Sequence, residues 1–193
     1  MKKILFASLI ISLLFLQCSK DADPFLIKKG AIGSLDKNIK MKQIDSIFAQ
    51  DSIVKLNPIE NSLGTQGEVE IYEKGGELQL LITPEDDLDP NALISNIQVF
   101  DERYRTDLGL NPKSTFKDIK DNYTIAGIDN AINSVVVYLD NSEIFITIDK
   151  KQLPENIRYN YTAKIESSQI PDEATFKYFM ISWDHDVNGD DIE

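Results

Sequence analysis

The chain has 193 residues, with 20 Lys and Arg against 32 Asp and Glu, one His and one Cys, for a net charge of −12. A surface this acidic repels phosphate backbones and anionic headgroups, so nucleic acid is excluded as a direct ligand. A lone cysteine excludes an internal disulfide and any zinc site built on several thiolates.

Met1-Lys2-Lys3 precedes an apolar run from Ile4 to Leu16, and Gln17-Cys18 follows. Two lysines and a short apolar run are the n- and h-regions of a secretory signal. The run is too short to span a bilayer, which needs about 20 apolar residues. No Ala-x-Ala site follows it, but the chain's one cysteine does. The arrangement resembles the lipobox of bacterial lipoproteins, although Gln17 and Phe15 replace its usual small residue and Leu. The resemblance implies acylation of Cys18, removal of residues 1–17 and attachment to a membrane through lipid. Loss of Lys2 and Lys3 would take the net charge from −12 to −14. Residues 18–24 are polar and read as a tether. Lys20-Asp21 resembles the surface-export signal of lipoproteins in the Bacteroidota, which implies the outer membrane, on its periplasmic or cell-surface face.

Residues 25–183 read as one α+β domain, an antiparallel sheet of hairpins with two short helices. Phe25-Leu26-Ile27 is a strand that ends towards Gly30 and Gly33. Met41, Ile44, Ile47 and Phe48 share one helical face. Val69 and Ile71 alternate with acidic residues, Lys74-Gly75-Gly76 is a turn, and Leu78, Leu80 and Ile82 form the returning strand. Pro84 to Pro90 is an acidic loop. Ile97, Val99 and Tyr104 belong to strands, and Leu108-Gly109 precedes a turn. Thr115-Phe116-Lys117-Asp118 starts a helix whose face is Phe116, Ile119 and Tyr123. Val135 to Tyr138, Asp140-Asn141, and Ile144, Ile146 and Ile148 make a second hairpin. Gln152-Leu153-Pro154 is a break, and Tyr159-Asn160-Tyr161 and Phe176 to Trp183 read as closing strands.

The halves correspond. Val69, Tyr72, Leu78, Leu80 and Ile82 each lie 66 residues before Val135, Tyr138, Ile144, Ile146 and Ile148. Met41, Ile44 and Phe48 lie 75 before Phe116, Ile119 and Tyr123, so the first half carries the longer loop, across Asn57 to Gly67. Binary patterning alone produces some of these matches, so duplication of residues 25–83 as 97–149 stands beside chance likeness. With Gly33 and Gly109 ahead of the two helices and hairpins, the units resemble the SmpA/OmlA outer-membrane assembly lipoproteins. They also resemble the tandem-repeat β-lactamase inhibitor protein. The resemblance implies a module that binds another envelope protein, and it carries over no catalytic residue.

Little in the chain points to catalysis or a cofactor. Any Ser-His-Asp or Cys-His arrangement would pass through His185, and there is no Gly-x-Ser-x-Gly, no P-loop and no Gly-x-Gly-x-x-Gly. We therefore expect a non-enzyme without a cofactor. Asp184, Asp186, Asn188 and Asp190, with Gly189 in the sixth place, have the oxygen spacing of a calcium loop. Asp191 stands where that loop has an apolar residue, and no twelfth-position carboxylate follows in the sequence. Residues 184–193 accordingly read as a solvated acidic tail rather than a calcium site. A surface accessory binding carbohydrate through Tyr159, Tyr161 and Trp183, or calcium through the terminal Asp loop, is the second functional reading. Arg103-Tyr104-Arg105 with Arg158-Tyr159 could form a basic-aromatic patch, although an edge strand explains both pairs. Asp45-Ser46-Ile47 and Asp51-Ser52-Ile53 resemble the O-glycosylation motif of the Bacteroidota.

Overall fold

In a computed structural model, the residues described are 23–56, 67–160 and 162–183. Cys18, Tyr161, Asp184, Asp186, Asn188 and Asp190 lie outside them, as does most of the Asn57 to Gly67 stretch. The described residues are strand-dominated, with two sheets and a few short helices, so the α+β expectation holds only loosely.

Three short strands come first: β1 (Leu26–Lys28), β2 (Ala31–Ile32) and β3 (Leu35–Asp36). A 3-10 turn at Met41–Gln43 leads into α1 (Ile44–Ile47). Strands β4 (Ser52–Leu56), β5 (Glu68–Tyr72), β6 (Leu78–Pro84) and β7 (Ile94–Val99) then run as an antiparallel meander. After β8 (Arg105–Thr106) and α2 (Phe116–Asn122) comes a second meander. Its strands are β9 (Ile125–Asn130), β10 (Ser134–Leu139), β11 (Ile144–Asp149) and β12 (Tyr178–Ser182). Between β11 and β12 lie 3-10 turns at Lys150–Gln152 and Ser167–Gln169 and the helix α3 (Glu155–Arg158).

The meanders join through β7 and β12, giving an eight-stranded sheet in the order β4-β5-β6-β7-β12-β11-β10-β9. Directly paired residues point to the same face. One row therefore crosses the whole sheet on one side: Ile53, Ile71, Leu80, Val99, Phe179, Ile146, Val137 and Ile128. All of these are buried except the edge residues Ile53 and Ile128, which pack against the core while partly exposed. The alternate rows are mostly partly or fully exposed, among them Glu70, Leu81, Gln98, Met180 and Phe145, with Thr147 a buried exception. The sheet thus has one covered and one open face, the usual state of an antiparallel sheet.

The cover is supplied by the helices and the small sheet, whose order is β3-β2-β1-β8 with β1 and β8 parallel. Met41, Ile44 and Phe48 from the first helical segment join the same core as Phe116 and Ile119 from α2, and as Ile27, Ile32 and Leu35. Tyr123 is only half-buried, packed at the margin. α2 starts as its sequence requires: the Asp118 carboxylate accepts from the Thr115 N–H at 2.7 Å, a reciprocal cap.

Three readings from the sequence need correction. Ile97 and Val99 form β7, which pairs with β6 and closes the first meander rather than opening the second. Tyr159 follows α3 and is 63% exposed, so Tyr159-Asn160 is no strand; Pro154 sets the start of a helical turn there instead. β4 and β9, which form the two edges, and β2 and β3 of the small sheet were not expected. β1, in contrast, matches the strand read at Phe25-Leu26-Ile27, and Tyr104 lies just before β8 rather than in a strand.

Candidate functional site

One concavity lies where the small sheet meets the β10–β11 turn. It holds about 390 Å³. Its apolar walls come from Leu26 and Ile27 on β1, Tyr123 after α2, Ile144 on β11 and Ile181 on β12. Lys28, Lys29, Asp107 and Asp140 also line it. The local geometry follows from two fixed points. Asn141 takes φ 51, the left-handed value that lets the turn fold back tightly. Glu143 then reaches across to the small sheet, where its Oε2 accepts from the Gly30 N–H at 2.6 Å and from Trp183 Nε1 at 3.2 Å.

Those bonds engage one oxygen of the Glu143 carboxylate in tying the two sheets together. On the opposite wall the Tyr123 hydroxyl and Thr106 Oγ1 are 2.6 Å apart, and Thr106 Oγ1 accepts from the Leu110 N–H at 3.0 Å. Burial pushes the Tyr123 phenol up, away from ionisation at neutral pH. The arrangement is that of a binding recess with an apolar floor and a charged rim.

The predicted aromatic platform is not assembled. Trp183 is 3% exposed and packs in the core, so its ring is not available to stack on a sugar. Tyr159 is exposed, and Tyr161 lies outside the described residues. The Arg103-Tyr104-Arg105 segment is likewise structural. Arg103 bonds to Asp101 and Glu73 and stacks 4.6 Å from the Phe25 ring centroid. Tyr104 is buried edge-on against Phe25, and burial pushes its phenol up to about 12. Arg105 pairs with Asp23 at 2.9 Å. Ser46 sits in α1, its hydroxyl donating to the Gln43 carbonyl at 2.8 Å, whereas Ser52 is exposed at the start of edge strand β4.

Sequence reading missed a second concavity, of about 630 Å³, at the far end of β11. It is lined by Asn133, Asp149, Lys150, Lys151, Arg158 and Lys177, together with Ile132 and Tyr159. Its cations are dispersed along the chain. Of its lining only Arg158-Tyr159 was singled out, as part of a patch with Arg103 to Arg105 that the fold does not assemble, and the Lys150-Lys151 pair at the end of a strand was the other signal.

Among the described residues there is no group of three or more His, Cys, Asp or Glu placed to hold a metal ion. No helix among them is long and apolar enough to cross a membrane. No family model matches the chain, and no curated protein matches it. Among solved structures it is similar to the uncharacterized protein yfeY from Escherichia coli, at 14% identity and a TM-score of 0.49. The match covers 80% of this chain and 97% of that one. At that level the likeness carries no argument about function.

Proposed function

We propose that the chain is a non-enzymatic interaction module of the bacterial cell envelope, anchored to the outer membrane by lipid on Cys18. The observation that carries this is the sequence from Met1 to Cys18, a secretory n- and h-region ending in the chain's one cysteine. Residues 19–24 would then tether the domain that begins with β1. The partner is another envelope protein, and the recess beside Glu143 is the surface offered to it. The calcium reading of Asp184, Asp186, Asn188 and Asp190 and the carbohydrate reading remain behind this one. Burial of Trp183 removes one of the three aromatics the carbohydrate reading needs.

We also read the two meanders as copies of one unit, a short helix followed by four strands. Three correspondences support this. Val69 pairs with Ile82 and Ile71 with Leu80, and 66 residues later Val135 pairs with Ile148 and Val137 with Ile146. The left-handed turn residues Gly75 and Asn141 are also 66 apart. Each helix start is bound to the approach to its fourth strand in the same way. Met41 N donates to Ala92 O at 2.9 Å and Lys42 N to Pro90 O at 3.2 Å, as Phe116 N does to Ala174 O at 2.8 Å and Lys117 N to Asp172 O at 2.9 Å. Strand periodicity produces none of these last bonds. The unit is larger than a helix–hairpin, so the likeness to SmpA/OmlA and to the inhibitor protein rests on the helix and its middle hairpin.

The anchor is tested by expressing wild type and Cys18→Ser with a fatty-acid analogue. Label on the wild type alone, with the mutant left uncleaved by the lipoprotein peptidase, is the expected result. Equal labelling of both would refute the anchor. The partner is sought by cross-linking in envelope extracts, with Lys29→Glu at the rim of the recess expected to weaken capture.

A further inference from the structure

The recess at the end of β11 has a charge opposite to that of the whole molecule. In a chain of net charge −12, four cationic side chains, Lys150, Lys151, Arg158 and Lys177, line one concavity of about 630 Å³. The fold brings them together from three segments. Lys150 and Lys151 open the 3-10 turn after β11, where the Lys150 N–H donates to Asn133 O at 3.0 Å. Arg158 closes α3, and its guanidinium Nη2 donates to Lys151 O at 2.8 Å and to Leu153 O at 3.0 Å. Lys177 precedes β12 and is fixed by its N–H to Thr147 O at 2.7 Å.

Three features distinguish this from a solvated basic face. First, none of the ion pairs among the described residues engages Lys151, Arg158 or Lys177, so their charges stay together in one concavity. Three cations therefore share one recess without an ion pair to a carboxylate. Asp149, the one carboxylate in the lining, accepts from the Lys151 N–H at 2.8 Å and caps the turn. Second, the side chains are set in place: Lys150 is 3% exposed, and the buried Arg158 Nε has no hydrogen-bond partner. A buried guanidinium N–H left unsatisfied is costly unless an acceptor meets it. Burial accordingly lowers the Lys150 pKa. Third, the fold does not require positive charge here. At the matching place 66 residues earlier, at the end of β6, the chain reads Pro84-Glu85-Asp86-Asp87.

We propose that this recess is a binding site for a phosphate group, free or carried on a headgroup or sugar of the envelope. A phosphate monoester brings nearly two negative charges and several acceptor oxygens to one point, matching a cluster of cations better than a single carboxylate would. The planar guanidinium of Arg158, held by two carbonyls, supplies the oriented donor, and the lysines supply compact charge. Asn133 and Tyr159 stand at the same recess as polar neighbours.

The test is thermal unfolding of the full-length chain in detergent, with sodium phosphate titrated against sodium chloride at matched ionic strength. Binding to the native state alone predicts a saturable rise in Tm, roughly 5–10 °C at a hundredfold excess over Kd. Lys177→Gln, at an exposed side chain that makes no ion pair, should raise the half-saturating phosphate concentration about tenfold. Arg158→Lys, which keeps the charge and loses the fork, should do the same. Lys117→Gln, on the exposed face of α2, should leave the titration unchanged. The source of the phosphate is read by repeating the titration with glycerol phosphate and glucosamine 1-phosphate. Tighter half-saturation than inorganic phosphate would assign a headgroup or sugar, and weaker would assign the free ion. Equal Tm in phosphate and chloride, or an unchanged titration in both recess variants, would overturn the proposal. Neither result bears on lipid at Cys18, so the two readings fail separately.

Discussion

Gly33 and Gly109 both hold the left-handed backbone, at φ 55 and φ 85, yet they differ in what surrounds them. A Cβ at Gly33 would lie 2.4 Å from Pro24 O and 3.1 Å from Tyr104 Cε1, whereas one at Gly109 would meet nothing within 4 Å. Gly33→Ala must therefore displace backbone as well as strain φ, and Gly109→Ala only strains φ. The expected cost is about 1 kcal/mol for Gly109→Ala and clearly more for Gly33→Ala, measured by urea unfolding. Equal costs would show that the Pro24 contact yields freely. The sequence singled out both glycines, but not the difference between them, because Pro24 and Tyr104 are brought to Gly33 only by the fold. A second residue-scale prediction concerns acid. Burial alone would raise the Asp101 pKa, but hydrogen bonds from the Arg103 side chain and N–H outweigh it and hold the carboxyl below its usual range. A depressed carboxylate pKa contributes stability that is present above the unfolded value near 4 and is lost as pH falls through the lower folded value. Asp101→Asn should therefore lower stability at pH 7 and reduce its loss on going from about pH 5 to pH 2. An acid limb as steep as that of the wild type would refute this role.

At the scale of elements, what could be read from the sequence followed burial. β5, β6, β10 and β11 could be read because they lie inside the sheet with one face in the core; β5 alternates throughout, and β6 and β11 do so apart from the buried Gln79 and Thr147. β4 and β9 are edges with one neighbour each, and their patterns are weak: Ser52-Ile53-Val54-Lys55-Leu56 leaves Val54 and Leu56 exposed, and β9 contains Gly127. β2, β3 and β8, two residues long, fall below any periodic signal, and of the small sheet only the apolar triplet at β1 could be read. The cationic recess was hidden for a related reason, since Lys150 and Lys177 meet only through the β11–β12 pairing. The turn of the second hairpin offers a sharp check on the duplication. Asn141 holds φ 51 where the first unit has Gly75 at φ 73. If the two turns are equivalent, Asn141→Gly relieves a small left-handed penalty and should change stability by less than about 1 kcal/mol. Asn141→Val places a β-branched residue at positive φ and should cost more than that. Thermal unfolding of both variants decides it, and tolerance of Val would mean that the turn refolds into another type.

The whole molecule is organised about the β7–β12 seam. Val99 pairs with Phe179 and Ile97 with Ile181, and the flanking pairs place Val99 opposite Leu80 and Phe179 opposite Ile146. Val99 and Phe179 thus occupy the same place in the two meanders and face each other, as they would beside a two-fold axis. A pair in that position belongs to both halves at once. Phe179 is 1% exposed and among the largest fully buried side chains, and its neighbours across the row are all buried residues of one core. Phe179→Ala should cost about 3–5 kcal/mol, the range for removing a buried aromatic ring. The informative measurement is the shape of the loss as well as its size. Trp183 is the chain's one tryptophan, buried just beyond β12, so its fluorescence reports the seam and the second meander, while far-UV circular dichroism reports both meanders. If one continuous core holds all eight strands, the two probes should give coincident midpoints in the wild type. Both should then shift together in Phe179→Ala. A fluorescence transition that moves while circular dichroism keeps a later step would mean that the first meander stands alone. In that case β7–β12 is an interface between two folding units, and the duplication would extend to stability as well as to form.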